Sequence, residues 1–251
     1  MRSFDRRAVL GLSVAGLALA LGGCNRTTTA SAPLSPVSSY AMTGTAGDYG
    51  QINDKFTVQA FDTSKINPVY MRREVAYSGG EPAGTIVIDP REHFLYYVLP
   101  GGRAMRYGVG VGKEGFSWSG TATINSKQEW PDWYPPKEMI DRRPDIKPQL
   151  SQLQSGLGVA GGLSNPLGAR AMYLWQNGKD TLYRIHGTSE PWSIGKSVSS
   201  GCIRLFNQDI IDLYGRVPTG TNVLVLNRGT LQRMDADEAP PTDDDDYTPT
   251  Y

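Results

Sequence analysis

Between about residues 82 and 227, apolar residues come in short runs broken by Pro, Gly and Asp. That spacing suits strands joined by tight turns. Thr85-Ile86-Val87-Ile88 is a β-branched run ended by Asp89-Pro90, and His93 to Leu99 is an aromatic and aliphatic run closed by Pro100-Gly101-Gly102. Arg103 to Val111 follows, with Tyr107, Val109 and Val111 alternating onto one face. Ala171–Trp175 and Thr181–Ile185 read as a further pair of strands around the turn residues Asn177-Gly178-Lys179-Asp180. One segment has helical spacing instead. Ile210, Leu213, Tyr214 and Val217 recur on one side, Asn207 suits an N-cap, Asp209 falls in the first turn, and Pro218-Thr219-Gly220 ends the run. Asn222–Leu226 then reads as a buried strand, while Gln128–Gln154, Pro-rich and basic, reads as an extended loop or lid. The pattern predicts a mainly β domain over 82–227 with one clear short helix.

The N-terminus has a different pattern. Arg2, Arg6 and Arg7 precede an apolar run from Ala8 to Leu21, which ends in Leu21-Gly22-Gly23-Cys24. A basic start, a short apolar stretch and small residues before a break make an export signal over 1–23, and the run is shorter than the ~20 residues a membrane-spanning helix needs. Asp5-Arg6-Arg7-Ala8-Val9-Leu10 resembles a twin-arginine signal, and Leu21-Gly22-Gly23-Cys24 resembles a lipobox in which Cys24 is lipidated. Residues 24–60 read as a flexible tether, most clearly in the Ser-, Thr-, Ala- and Pro-rich stretch before residue 50, and 61–81 as a lead-in segment.

Charge sharpens this segmentation. The whole chain carries 25 Lys+Arg and 25 Asp+Glu, a formal net charge of zero. The signal contributes three bases and one acid, and the stretch from Asp235 contributes seven acids and no base. Residues 24–234 therefore hold 22 bases against 17 acids, a net of +5. The neutral total is the sum of a +2 N-terminal segment, a +5 body and a −7 tail. That tail, 228–251, is Pro-containing and lacks an aliphatic stripe, so it reads as disordered. The overall balance argues against a nucleic-acid partner.

Two cysteines are present, Cys24 and Cys202. If Cys24 is lipidated, Cys202 has no intramolecular partner, and a lone thiol in an oxidising compartment is a liability unless it has chemical work. A free Cys is often a small core residue, but the surroundings argue for catalysis. Cys202 follows Ser199-Ser200-Gly201, small residues that allow close backbone approach, and precedes a helix start and Arg204, both of which favour thiolate. His186 closes the apolar strand Leu182-Tyr183-Arg184-Ile185 and stands sixteen positions before Cys202, which fits a Cys–His pair. The other histidine, His93, sits near a strand start with no partner in view and reads as a structural or surface residue.

Other chemistries fit poorly. Gly110-Val111-Gly112-Lys113-Glu114-Gly115 matches a dinucleotide-binding glycine pattern but is followed by Phe116-Ser117-Trp118-Ser119-Gly120, which does not open a helix. Two distant histidines and one thiol give no zinc spacing, the acidic run Asp243–Asp246 lacks the Gly and Glu of a calcium loop, and no Gly-x-Ser-x-Gly elbow occurs.

His186-Gly187-Thr188, Ser193-Ile194-Gly195 and Ser199-Ser200-Gly201-Cys202-Ile203-Arg204 together resemble the L,D-transpeptidase (YkuD-like) catalytic domain of bacterial cell-wall enzymes. Asn165-Pro166-Leu167-Gly168, Trp130-Pro131 to Pro135-Pro136, and Val217-Pro218-Thr219-Gly220-Thr221-Asn222-Val223 add to the match. Two places depart from the family pattern: Ser200 stands where many members have His, and Ser117-Trp118-Ser119-Gly120 where Thr-Pro-Thr-Gly is usual. The resemblance implies a β-sandwich-like fold with few helices, Cys202 as nucleophile and His186 as general base and then acid. It implies oxyanion donors in the Gly201 and Cys202 N–H groups, with Gly187, Ser200 and Arg204 shaping the site, and no metal or organic cofactor. The implied substrate is a peptidoglycan stem tetrapeptide: Cys202 attacks the carbonyl of the third residue, expels D-Ala, and passes the acyl group to an amine of another stem. Variants with the same Cys202 and His186 attach an outer-membrane protein to the wall, or use water as acceptor and act as an L,D-carboxypeptidase or as an amidase that cuts such attachments. A silent wall-binding module is the reading from another class, against which the intact Cys–His pair argues. The implied setting is exported and periplasmic, with a membrane anchor through Cys24.

Overall fold

The computed structural model describes residues 49–113 and 118–227. The segment 1–23 expected to be an export signal, Cys24, the expected tether up to residue 48 and the acidic stretch from 228 lie outside the described residues. The strands are β1 (Arg73–Ala76), β2 (Ile86–Asp89), β3 (Phe94–Leu99), β4 (Arg103–Gly108), β5 (Val111–Gly112) and β6 (Gly120–Glu129). A short helix α1 (Lys137–Arg142) leads to β7 (Ser151–Leu153), β8 (Gly156–Gly158), β9 (Arg170–Gln176), β10 (Lys179–His186), β11 (Ser197–Ser199) and β12 (Ile203–Arg204). Helix α2 (Asn207–Arg216) and β13 (Asn222–Val225) follow.

Nine strands form one sheet in the order β1-β4-β3-β2-β13-β6-β9-β10-β12. The meander expected from 85–111 is the antiparallel run β2-β3-β4, with Ile88 opposite Leu95 and Leu95 opposite Tyr107. Chain order breaks in the middle, where β13 lies parallel to β2 and antiparallel to β6, joining the two halves of the sheet. One core serves both halves. Ile86, Ile88, Leu95 and Tyr107 from one half share it with Ile124, Met172, Leu174 and Ile185 from the other, and with Ile210 and Leu213 of α2. The domain is mainly β and sandwich-like, as expected, with α2 closing the core after the Cys202 segment.

Local details differ from expectation at α2 and in the lid. Asn207 is the first residue of α2 and Phe206 its N-cap. The Asn207 side chain is drawn elsewhere: Oδ1 accepts from the Ala169 N–H at 2.9 Å and Nδ2 donates to the Thr188 carbonyl at 3.1 Å. The stretch 128–154 is not wholly extended. It holds α1, a 3-10 turn at Pro144–Gln149 and the start of the small hairpin β7–β8.

Residues 49–60, expected within the tether, are instead part of the domain. Tyr49 is buried and its hydroxyl donates to Asp209 Oδ2 at 3.0 Å, while Asp54 pairs with Arg170 at 2.6 Å. Aromatic anchors explain the attachment: Phe56 lies edge-on to Trp130 at 5.0 Å, and Tyr49 and Phe61 both meet Phe206. Low charge masked these three rings in the composition. The lead-in 61–81 supplies β1, which adds an edge strand beside β4. Arg72, almost fully buried, sits 3.4 Å from Asp209 and 3.6 Å from Asp212, tying this segment to α2.

Candidate active site

The site lies where β10 meets β12. These strands run parallel, with Ile185 opposite Ile203 and His186 opposite Arg204. Ile185 and Ile203 point into the core at 0% and 4% exposure. Side chains alternate along a strand, so Arg184 and His186 share the face of β10 opposite to Ile185; Cys202 is the residue just before β12, and the Arg184 backbone N–H hydrogen-bonds its sulphur. The parallel register brings the end of the His186 strand beside the segment that begins just after Cys202.

His186 is buried at 4% exposure. Its Nδ1 lies 2.5 Å from the Gly187 carbonyl. A carbonyl only accepts, so the neutral ring carries its proton on Nδ1, toward Gly187. Burial drives the imidazole pKa down to about 3, and the positive charge of Arg204 pushes in the same direction, more than the Gly187 carbonyl offsets. The ring is therefore neutral at pH 7. Gly187 is required by close approach: a Cβ there would collide with Asn207 Oδ1.

Cys202 is partly exposed and stands at the end of a tight turn. Ser199 Oγ donates to the Cys202 carbonyl at 2.7 Å and accepts the Gly201 N–H at 3.1 Å. Gly201 has φ +117, a left-handed conformation that favours glycine. Pairing of β11 with β5 holds the near end of the turn, where the Lys113 N–H donates to the Ser199 carbonyl at 3.1 Å. Burial raises the thiol pKa, and a hydrogen bond from the Arg184 N–H together with the charges of Arg184 and Arg204 pulls it back in part. The resting pair is a neutral thiol beside a neutral imidazole.

The other expected site residues fall around this centre. The Gly201 N–H, expected to face an oxyanion, is committed to Ser199 Oγ in this state. Ser200 is exposed and, with Ser199, Val198, Lys113, Met139, Arg142 and Arg143, lines a cleft of about 300 Å³ between α1 and the Cys202 turn. Arg204 pairs with Glu190 at 2.8 Å and so braces the loop that follows His186. His93 stands apart in a turn, 3.0 Å from Ser197 Oγ.

Several residues that matter here were not singled out from the sequence. Ser199 pins the turn. Asn165, fully buried, donates to the carbonyls of Pro131, Val159 and Ala160 and accepts the Leu167 N–H, fixing the loop whose Leu167 carbonyl also reaches His186. Arg184 was visible only as part of an apolar strand, yet its position two residues before His186 already placed it on the same face.

A family model described as the L,D-transpeptidase catalytic domain (YkuD) matches residues 83–225. The probable L,D-transpeptidase ErfK/SrfK of Escherichia coli (strain K12) is 34% identical over 150 residues, covering 57% of this chain and 44% of that protein. The probable L,D-transpeptidase YcfS of the same organism is 36% identical over 150 residues, covering 58% of this chain and 45% of that protein. The chain thus spans less than half the length of these two curated relatives. A crystal structure from Brucella melitensis, described as a probable carnitine operon oxidoreductase, is 50% identical and covers 66% of this chain and 99% of that one, with a TM-score of 0.43. The matched family segment takes in more than half of the chain, including both the His186 strand and the Cys202 turn, and the chain belongs to the L,D-transpeptidase catalytic-domain family.

Proposed function

We propose that this domain is a cysteine-dependent L,D-transpeptidase acting on peptidoglycan stem peptides. The observation that carries the reading is the β10–β12 edge of the sheet, where a buried neutral His186 with a proton on Nδ1 ends β10 and the Arg184 N–H of the same strand hydrogen-bonds the Cys202 sulphur. Nε2, the ring nitrogen not bonded to the Gly187 carbonyl, takes the thiol proton as Sγ attacks the carbonyl of the third stem residue. The developing oxyanion is met by the backbone of the turn, the Gly201 N–H turning from Ser199 Oγ to the new charge. Collapse breaks the amide, and the imidazolium protonates the departing D-Ala amine. An acceptor amine then attacks the thioester, its proton passes to His186 Nε2, and the thiol is restored. Transfer to another stem gives a 3→3 cross-link. The basic cleft of Lys113, Arg142 and Arg143 beside Ser200 suits an acceptor that carries carboxylates.

In this reading the protein is exported to the periplasm and held to a membrane through lipid on Cys24, with the domain reaching the wall on its tether. Purified protein and its Cys202→Ala variant, incubated with disaccharide-tetrapeptides and followed by mass spectrometry, test the chemistry. Cross-linked dimers from the wild type alone support transpeptidation. Tripeptide without dimers points to water as acceptor, and full activity in the variant refutes the Cys202 mechanism.

A further inference from the structure

Arg184 is held in an unusual way. Asp180 lies four residues before it, a separation that spans ~13 Å along an extended strand and forbids an ion pair. A bulge between Asp180 and Arg184 removes the obstacle. Its centre is Leu182, with φ +63 and 73% exposure, a backbone state that leucine rarely adopts. The Leu182 N–H donates to Asp180 Oδ1 at 2.8 Å, and the doubled-back chain brings both carboxylate oxygens to the guanidinium, Oδ1 to Nη1 at 2.7 Å and Oδ2 to Nη2 at 2.8 Å. The guanidinium also rests on the Tyr173 ring, 4.4 Å from its centroid, and Nη1 donates a second bond to the Tyr183 carbonyl at 2.9 Å.

A guanidinium has five N–H donors. Asp180 and Tyr183 engage three: both on Nη1 and one on Nη2. The two left over, the Nε–H and the second Nη2–H, form one edge of the plane and have no partner among the described residues. That edge is the fork that fits a carboxylate side-on. The side chain is 15% exposed, so the edge is partly desolvated, and the Arg184 backbone N–H already hydrogen-bonds the Cys202 sulphur. The strain at Leu182 fixes a rigid, half-used cation next to the nucleophile.

We propose that Arg184 is a specificity residue of the acyl-donor subsite, its open Nε–Nη2 edge receiving a carboxylate that the donor carries beside the scissile bond. This rests on the transpeptidase reading, in which two donor carboxylates qualify: the C-terminal one of the departing D-Ala and the one on the side chain of the third residue. The substrate class is a peptide donor with a free carboxylate at one of those places.

The test uses the full-length protein and three donors: the tetrapeptide, its C-terminal amide and its side-chain amide. In the wild type, amidating the recognised carboxylate raises KM by about 10- to 100-fold, the usual scale for a lost charge-assisted hydrogen bond. In Arg184→Gln the parent donor already shows that KM, and amidating the same carboxylate adds nothing further. Which amide behaves this way identifies the carboxylate. Arg184→Lys keeps a cation for Asp180 and hence the fold, but lacks the second edge, so it also loses discrimination between acid and amide. Wild-type KM in Arg184→Gln, or equal sensitivity of wild type and both variants to each amidation, overturns the proposal. Turnover retained in Cys202→Ala fails the transpeptidase reading itself, whereas an active wild type with indifferent Arg184 variants sinks only the Arg184 assignment.

Discussion

The buried imidazole of His186 makes acid stability a direct probe of the site. Folded His186 has a pKa near 3, driven down first by burial and then by Arg204, whereas in the unfolded chain it returns to about 6.5. Between those values the unfolded chain binds a proton that the folded chain refuses. Stability from this residue is therefore fully present above pH 6.5 and is lost as pH falls toward 3. At ~1.36 kcal/mol per unit, a move from pH 7 to pH 5 crosses ~1.5 units below the unfolded value and costs ~2 kcal/mol. Carboxylates with lowered values, such as Asp54 and Asp180, also lose stability in acid, but they do so with or without His186. The perturbation is therefore His186→Gln, whose amide can still donate to the Gly187 carbonyl but does not titrate. The assay is urea denaturation of both proteins at pH 7 and pH 5, with stability extrapolated to water. The wild type should lose ~2 kcal/mol more than the variant over that interval. Parallel losses would refute the neutral, desolvated His186 and with it the resting state from which the proposed proton transfer starts.

Two further outcomes follow from the same structure. Burial raises the Cys202 thiol, so in the free protein its alkylation by iodoacetamide should climb with pH through and beyond the ordinary thiol range; a plateau at pH 6–7 would reveal a thiolate–imidazolium pair instead. Arg72→Met leaves the carboxylates of Asp209 and Asp212 buried without this cation and should cost about 3–5 kcal/mol in urea denaturation. Adding Asp209→Asn to that variant should recover part of the loss, and an unchanged midpoint in Arg72→Met would show that residues 49–72 do not brace α2.

What the sequence made legible was the part set by local pattern. Alternation and turn residues placed β2, β3 and β4, helical spacing placed α2, and the scarcity of Cys and His picked out Cys202 and His186. What it hid depends on pairing between distant residues. Tyr49, Phe56 and Phe61 look like isolated rings in a polar leader, and only their contacts with Phe206 and Trp130 give them a place. Asn207 has the right chemistry for an N-cap, yet two loop groups from 169 and 188 compete for its amide and win. Ser199 and Ser200 are indistinguishable as residue types; the pairing of β11 with β5 turns the first inward to pin the Cys202 turn and leaves the second on the cleft.

Arg184 shows where the boundary between the two kinds of information lies. Its face follows from counting two residues back from His186, a purely local inference. Its function does not follow, because an exposed arginine on a strand is ordinarily a mobile cation worth little to specificity. Asp180 and Tyr173 change that by immobilising the guanidinium, and Asp180 reaches it only because Leu182 accepts a left-handed backbone. No local preference assigns that conformation to leucine. The strain is held by the sheet on either side, where β10 is bonded to β9 and β12. The β9 ladder pairs β10 at Asp180 and again from Arg184 to His186, so it holds both ends of the bulge that aims Arg184, and the candidate base and the proposed donor contact should lose their geometry together if β10 slips its register.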